Sequence, residues 1–111
     1  MGEGVTFGGL LTVPFKAGAS EDYYGNSSSF VFTFKDNICD VYHGTAGSNN
    51  MYFFSHPRRG IGFGGGGTWA FWLDAELNHG TSGESDTYAN SVLTSSSEFT
   101  IADVEVYGLQ I

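Results

Sequence analysis

The feature that most constrains this chain is the segment Phe30-Val31-Phe32-Thr33-Phe34-Lys35, followed at once by Asp36-Asn37 and then by Ile38-Cys39-Asp40-Val41-Tyr42-His43. Successive side chains of an extended strand point to opposite faces, so Phe30, Phe32 and Phe34 fall on one side. Asp36-Asn37 is a turn signal, and Ile38 to His43 returns as a hairpin partner. Aromatic and β-branched residues suit a pleated, half-buried surface. No long helical period competes with this reading anywhere in the chain.

The remaining segments have the same character in short pieces. Val5 to Val13 (VTFGGLLTV) reads as a strand interrupted at Gly8-Gly9 and ended by Pro14, and Gly18 to Ser29 as a polar surface connection. Met51 to His56 (MYFFSH) is a further strand, closed by Pro57. Arg58 to Gly67 is nearly all glycine and arginine around Ile61 and Phe63, a stretch whose backbone bends or passes closely beneath Trp69 and Trp72. Thr68 to Asp74 (TWAFWLD) puts Trp69, Phe71 and Leu73 on one face and Ala70 and Trp72 on the other. Apolar groups on both faces mark a central strand. Ala75 to His79 reads as a short strand or a single helical turn, and Gly80 to Ser97 as loop. Phe99 to Leu109 is a final strand, in which a bulge near Ala102-Asp103 brings Phe99, Ile101, Val104 and Val106 to one side. Some seven short strands predict a mainly β chain, a two-layer antiparallel β-sandwich with one or two short helical turns.

Composition narrows the functional classes. With 111 residues the chain is read as one domain spanning 1–111. A chain of this size buries about two-thirds of its unfolded surface, and 41% hydrophobic residues supply a core without disulfide staples. One cysteine excludes an internal disulfide and a cysteine-rich zinc site. Twelve acidic residues against four basic ones give a net charge of −8, and Arg58-Arg59 is the only basic cluster. Phosphate backbones are therefore repelled and no nucleic-acid partner is expected. Such a surface suits basic protein surfaces instead. No apolar run approaches the roughly 18 residues of a membrane helix, and no basic-then-apolar leader opens the chain. The expectation is a cytoplasmic protein without membrane insertion.

Candidate chemistry is sparse. Gly60-Ile61-Gly62-Phe63-Gly64-Gly65 fits the GxGxxG pattern, but the next segment is β-type, so the glycines read as structural. Asp74 and Glu76 would share a strand face, and a carboxylate-pair hydrolase stands there against an exposed strand end. Cys39 and His43 share a face but lie too far apart for one ion, and neither a metal nor a cofactor is expected. Cys39 reads as a small buried hydrophobe; a peroxide-reactive thiol would need exposure and a neighbouring cation. His79, within Asn78 to Ser82, orders a loop through hydrogen bonds. Trp69, Trp72 and the tyrosines would equally serve a carbohydrate-binding or lectin-like sandwich as stacking platforms.

One string of residues is more specific. The glycine run Gly64, Gly65, Gly66, Gly67 precedes Trp72-Leu73-Asp74, Glu76-Leu77, His79-Gly80, Ser82 and Glu84-x-x-Thr87-Tyr88-x-Asn90. Leu93-x-Ser95-Ser96 and Phe99-x-Ile101-x-Asp103-Val104-Glu105-Val106-x-Gly108-Leu109 complete it. This string resembles the TLDc domain of the oxidation resistance proteins. Phe7-Gly8-Gly9-Leu10, Tyr24-Gly25 and Phe30 to Phe34 agree more loosely. The resemblance implies a two-sheet sandwich, protection against oxidative stress, and binding to subunits of the vacuolar-type proton-pumping ATPase, with no established catalytic reaction. It implies fold-defining roles for Gly64 to Gly67, Trp72, Glu105 and Gly108. Asp74, His79, Gly80, Ser82 and Glu84 become candidates for partner binding, the last three and His79 lying in what reads as a polar loop. The family's usual N-terminal stretch is absent, so the resemblance leaves a divergent short form or a fragment of a longer product. A fragment is expected to have an unpaired strand edge or exposed apolar face through which it self-associates.

Overall fold

In the computed structural model, which describes residues 5–11, 23–44, 51–56, 58–66 and 68–105, the Phe30–His43 segment forms the hairpin that its alternation predicts. Strand β1 (Thr6–Leu10) pairs with β2 (Phe30–Lys35), and β2 with β3 (Ile38–His43), in a three-stranded antiparallel sheet. The turn residues Asp36 and Asn37 have φ of 55° and 64°, the left-handed pair that a two-residue hairpin turn of matching twist requires. A second antiparallel sheet follows in the order β4 (Phe53–His56), β5 (Gly60–Phe63), β6 (Phe71–Leu73), β7 (His79–Ser82) and β8 (Glu98–Thr100). The regular elements of the described residues are thus all strands, arranged in two layers as a mainly β sandwich, and β6 is the central strand as expected. No helix occurs among the described residues. The nearest feature is a single turn closed by Ala89 N–H donating to the Ser85 carbonyl at 2.9 Å.

The core lies between the sheets. Phe53, Phe63 and Phe71 stand side by side on the inner face of the larger sheet, with Leu73 beyond them. Val31 and Leu93 are fully buried against them. Phe7 meets Phe71 and Phe99 edge-on, both at 5.1 Å between centroids, and so ties β1 to the opposite layer. A Cβ on Gly9 would lie 2.7 Å from the Phe63 ring, so glycine there lets the layers close. Burying each such large side chain contributes about 1.5–3 kcal/mol of transfer free energy, an upper figure because the unfolded chain is itself partly compact.

Several expectations are corrected. Gly8-Gly9 does not interrupt β1, because Gly8 and Gly9 continue the ladder opposite Phe32 and Val31. Phe30, Phe32 and Phe34 do share a face, as their alternation predicts, and it is the outer face of the sheet: Phe34 is 44% exposed, whereas Val31 and Thr33 are buried. Cys39 shares that outer face and is exposed, not buried. Residues 60–63 form a strand inside the glycine stretch, and residues 79–82 a strand inside the expected loop. Trp69 stacks on Trp72 at 4.5 Å rather than sharing a face with Phe71, because the chain bends at Ala70 before β6 begins and resets the parity. Ala75 to Asn78 is a turn, with Leu77 N–H donating to the Asp74 carbonyl. Among the described residues the last strand is Glu98–Thr100, and Ala102-Asp103 is no bulge within it, since residues 101–105 carry no ladder. Pro14, residues 18–22 of the Gly18–Ser29 connection, Pro57, Gly67, Val106, Gly108 and Leu109 lie outside the described residues.

Candidate functional site

The residues of the TLDc-like string divide into two groups with different surroundings. The first group builds a buried polar seam. Ser82 faces inward from β7, and its hydroxyl donates to the Ala70 carbonyl at 2.6 Å and accepts from Leu93 N–H at 2.9 Å. The Leu93 carbonyl in turn accepts from the Thr33 hydroxyl, so one residue bridges both sheets. Asn90 Oδ1 accepts from the hydroxyl of Ser85 at 2.6 Å, and its amide nitrogen donates to the Gly83 carbonyl at 2.9 Å. Tyr88 donates to the Tyr52 carbonyl at 2.9 Å, and burial pushes its phenol far above the usual range. These groups are hydrogen-bonded because an unpaired polar group in that environment costs about 1–3 kcal/mol.

The glycine run docks onto this seam. Gly64, at φ +86°, would place a Cβ 2.8 Å from Ser85 Oγ, and Gly65 N–H donates to the Thr87 hydroxyl at 3.1 Å. Gly66 also has positive φ but is exposed. Gly80 is buried in β7, where a Cβ would come within 2.5 Å of the Trp72 carbonyl oxygen. For Ser82 and Gly80 the placement corrects the polar-loop reading. Their side-chain positions are inside the fold, and the Ser82 hydroxyl is engaged there as both donor and acceptor.

The second group is on the outer face of the larger sheet. Cross-strand pairing aligns Phe54, Gly62, Trp72, Thr81 and Glu98 in one row, and His79 with Thr100 in another. Tyr23, Phe54, Trp69 and Trp72 cluster at one side of this face, with the Arg59 guanidinium 5.5 Å from the centre of the Phe54 ring. At the other side lies an open depression of about 460 Å³ lined by Trp72, Asp74, His79, Thr81, Glu98 and Thr100. Asp74 closes the turn leading into β7: its Oδ1 accepts from Asn78 N–H at 2.9 Å, and its Oδ2 stands 3.7 Å from His79 Nδ1. That backbone hydrogen bond holds the Asp74 carboxyl below the usual carboxylate range, with His79 adding to the effect.

Asp74 and His79 are therefore brought together, as a surface pair rather than as a loop-ordering histidine alone. Glu76 is exposed on the turn. Glu84 is exposed after β7, and its carbonyl accepts from the Thr68 hydroxyl at 2.7 Å. Glu105 is exposed near the end of the described residues. Trp69 and Trp72 are half-buried against each other, so they are not two separate stacking platforms. Thr81, Glu98 and Thr100 were not singled out in the sequence. The signal for them is the alternation in His79-Gly80-Thr81-Ser82, exposed and buried by turns, which a reading of that segment as loop discards. Chemically, this face offers an aromatic edge, hydroxyls, an imidazole and two carboxylates suited to holding a partner group. Among the described residues no three His, Cys, Asp or Glu side chains gather as metal ligands do.

A family profile described as the TLDc domain matches residues 1–110. Oxidation resistance protein 1 of Rattus norvegicus is 37% identical over 109 residues, covering 97% of this chain and 12% of that protein. Its Homo sapiens counterpart is 36% identical over 109 residues, again 97% of this chain and 12% of that protein. Nuclear receptor coactivator 7 of Gallus gallus is 37% identical over 102 residues, 91% of this chain and 11% of that protein. The chain thus spans about one-eighth of the length of these curated relatives.

Proposed function

This chain belongs to the TLDc domain family, and from that premise we propose that it is a non-enzymatic interaction module linked to oxidative-stress protection. The observation that carries the reading is the match over 97% of the chain to oxidation resistance protein 1. The division of the shared string into a buried seam and an exposed face supports it. The seam makes a rigid support, and side chains held on strands and a capped turn are positioned more firmly than those on a free loop. The partner we assign is the vacuolar-type proton-pumping ATPase, bound at its peripheral parts on the cytoplasmic side. The net charge of −8 favours association with a basic surface. Any self-association is placed at the β3 edge and the apolar outer face beside it.

Co-sedimentation of the folded chain with the purified pump, reading bound protein and ATP hydrolysis together, tests this function. Saturable binding that weakens at high salt is expected. A folded chain that stays in the supernatant at every concentration overturns the partner assignment. If a neutral oligosaccharide then quenches tryptophan emission saturably, the carbohydrate-binding alternative replaces it.

A further inference from the structure

Trp72 sets the shape of the outer face through the direction in which it leans. A Cβ on Gly60 or Gly62 would lie 2.9 or 2.7 Å from carbons of its ring, so the indole occupies the space over β5 that those glycines leave empty. Its neighbours on the other side, Thr81 and then Glu98, are exposed and do not cover the strand between them. The depression is the consequence. The Trp72 and Phe99 rings give it apolar walls, the carboxylates of Asp74 and Glu98 and the His79 imidazole stand at its border, and among the described residues no lysine or arginine lines it. An apolar trough bordered by carboxylates suits a side chain with a methylene stem and a cationic head. A planar guanidinium also stacks on indole and meets a carboxylate with two N–H groups, which an ammonium does not. Asp74, accepting from Asn78 N–H, is anionic at neutral pH.

We propose that this depression receives an arginine side chain of a protein partner, with Trp72 as its stacking surface and Glu98 and Asp74 as its counter-charges. The proposal rests on the interaction-module reading and supplies the chemistry of one contact within it. His79, 3.7 Å from Asp74, is the internal group that the incoming guanidinium displaces from that carboxylate.

The test titrates the isotope-labelled chain with acetyl-Gly-Arg-Gly-amide, with its citrulline counterpart and with maltose, following amide and indole N–H resonances. Saturable shifts at the Trp72 indole and at Thr81, Glu98 and Thr100 are expected with the arginine peptide only. They should weaken several-fold between about 50 and about 500 mM salt. Glu98→Lys, on an exposed edge position, should leave the melting temperature unchanged and reduce peptide affinity at least about fivefold, a loss of about 1 kcal/mol. Equal shifts with citrulline, shifts with maltose that ignore Glu98→Lys, or no shifts at all overturn the proposal. Thr81→Tyr, which fills the trough without changing charge, should also abolish the shifts; retention overturns it. Co-sedimentation with the pump separates the two readings. If wild type and Glu98→Lys bind the pump equally, the partner assignment stands and the arginine site falls. If wild type ignores the pump but takes the peptide, the site stands and the partner assignment falls.

Discussion

The two sheets carry similar alternating sequences and differ in what lies on their second faces. In the five-stranded sheet the inner face holds Phe53, Phe63, Phe71 and Leu73, and the outer face carries its own aromatic cluster of Phe54, Trp69 and Trp72 with Tyr23. In the three-stranded sheet the described residues cover only one face. Val31 and Thr33 are buried on that face, while Phe34 of β2 and Cys39 and Val41 of β3 are exposed on the other. The lesson is about tolerance. Where both faces are packed, every Cβ position is constrained by neighbours, and where one face meets solvent, the same kind of residue has room to move.

Paired glycine substitutions should show the largest contrast. A Cβ on Gly60 would sit 2.1 Å from the Leu73 carbonyl oxygen, at a φ of +112° that a side chain rarely adopts. Backbone cannot rotate out of the way as a ring can, so Gly60→Ala should lose about 3 kcal/mol or more and leave little folded chain. Gly8→Ala meets only the Phe32 ring at 3.1 Å, on the open face, and should change stability by less than about 0.5 kcal/mol. Urea unfolding of both variants decides it. Comparable losses would mean that the second face of the small sheet is covered after all.

Polar substitutions should give the next contrast. Ser82→Ala removes a hydroxyl that joins the Ala70 carbonyl and Leu93 N–H, leaving both without that partner inside the seam. A loss of about 2–3 kcal/mol is expected by urea unfolding. Cys39→Ser exchanges an exposed group and should stay within about 0.5 kcal/mol of wild type. The native Cys39 thiol should react with a bulky maleimide without denaturant. Slow labelling that speeds up only in urea would place Cys39 inside the fold and remove the asymmetry between the sheets.

Much of this architecture was legible in the residues, and the failures have identifiable physical causes. The β2–β3 hairpin was readable because alternation, a two-residue turn signal and a second alternating run agree, and local signals that agree leave one register. The direction of its faces was not readable. Three phenylalanines outrank a valine and a threonine in any hydrophobic count, yet Thr33 is inside because its hydroxyl meets the Leu93 carbonyl across the molecule. That partner lies 60 positions away in sequence. β5 was missed because strand propensity penalises glycine, whereas Gly62 is required there by Trp69 and Trp72 above it. At the candidate site, Asp74 and His79 were legible as residue types in a recognisable string. Thr81 and Glu98 became visible only once pairing placed them in the row of Trp72.

The turns that close the two sheets provide a smaller contrast. Asp36 and Asn37 adopt positive φ with side chains that tolerate it, whereas the turn before β7 places Leu77 at φ 59°. Leu77 is 41% exposed, so little packing is lost on replacing it. Leu77→Gly should therefore stabilise the chain by roughly 0.5–1 kcal/mol in thermal or urea unfolding, through relief of left-handed strain set against added freedom in the unfolded chain. Destabilisation would mean that the exposed leucine makes a contact worth more than its strain.

The smallest expected effect belongs to the carboxylate of that same turn. Asp74 is held below its usual range chiefly by accepting from Asn78 N–H, and the unfolded chain lacks that hydrogen bond. A depressed folded-state pKa means that the unfolded chain binds the proton more readily. The stabilisation is then present at pH values above the ordinary carboxylate pKa of about 4 and is lost as pH falls through the folded value below it. The gap in melting temperature between wild type and Asp74→Ala should accordingly stay constant from neutral pH down to about 5 and narrow below about 4. Solvent around this exposed turn keeps the gap small. Asp74→Asn, which retains an oxygen acceptor for Asn78 N–H, should fall between the two and show no such narrowing against Asp74→Ala. If the wild-type gap persists undiminished in acid, the turn uses Asp74 as a neutral acceptor. The contrast with the Asp36-Asn37 turn would then rest on Leu77 alone.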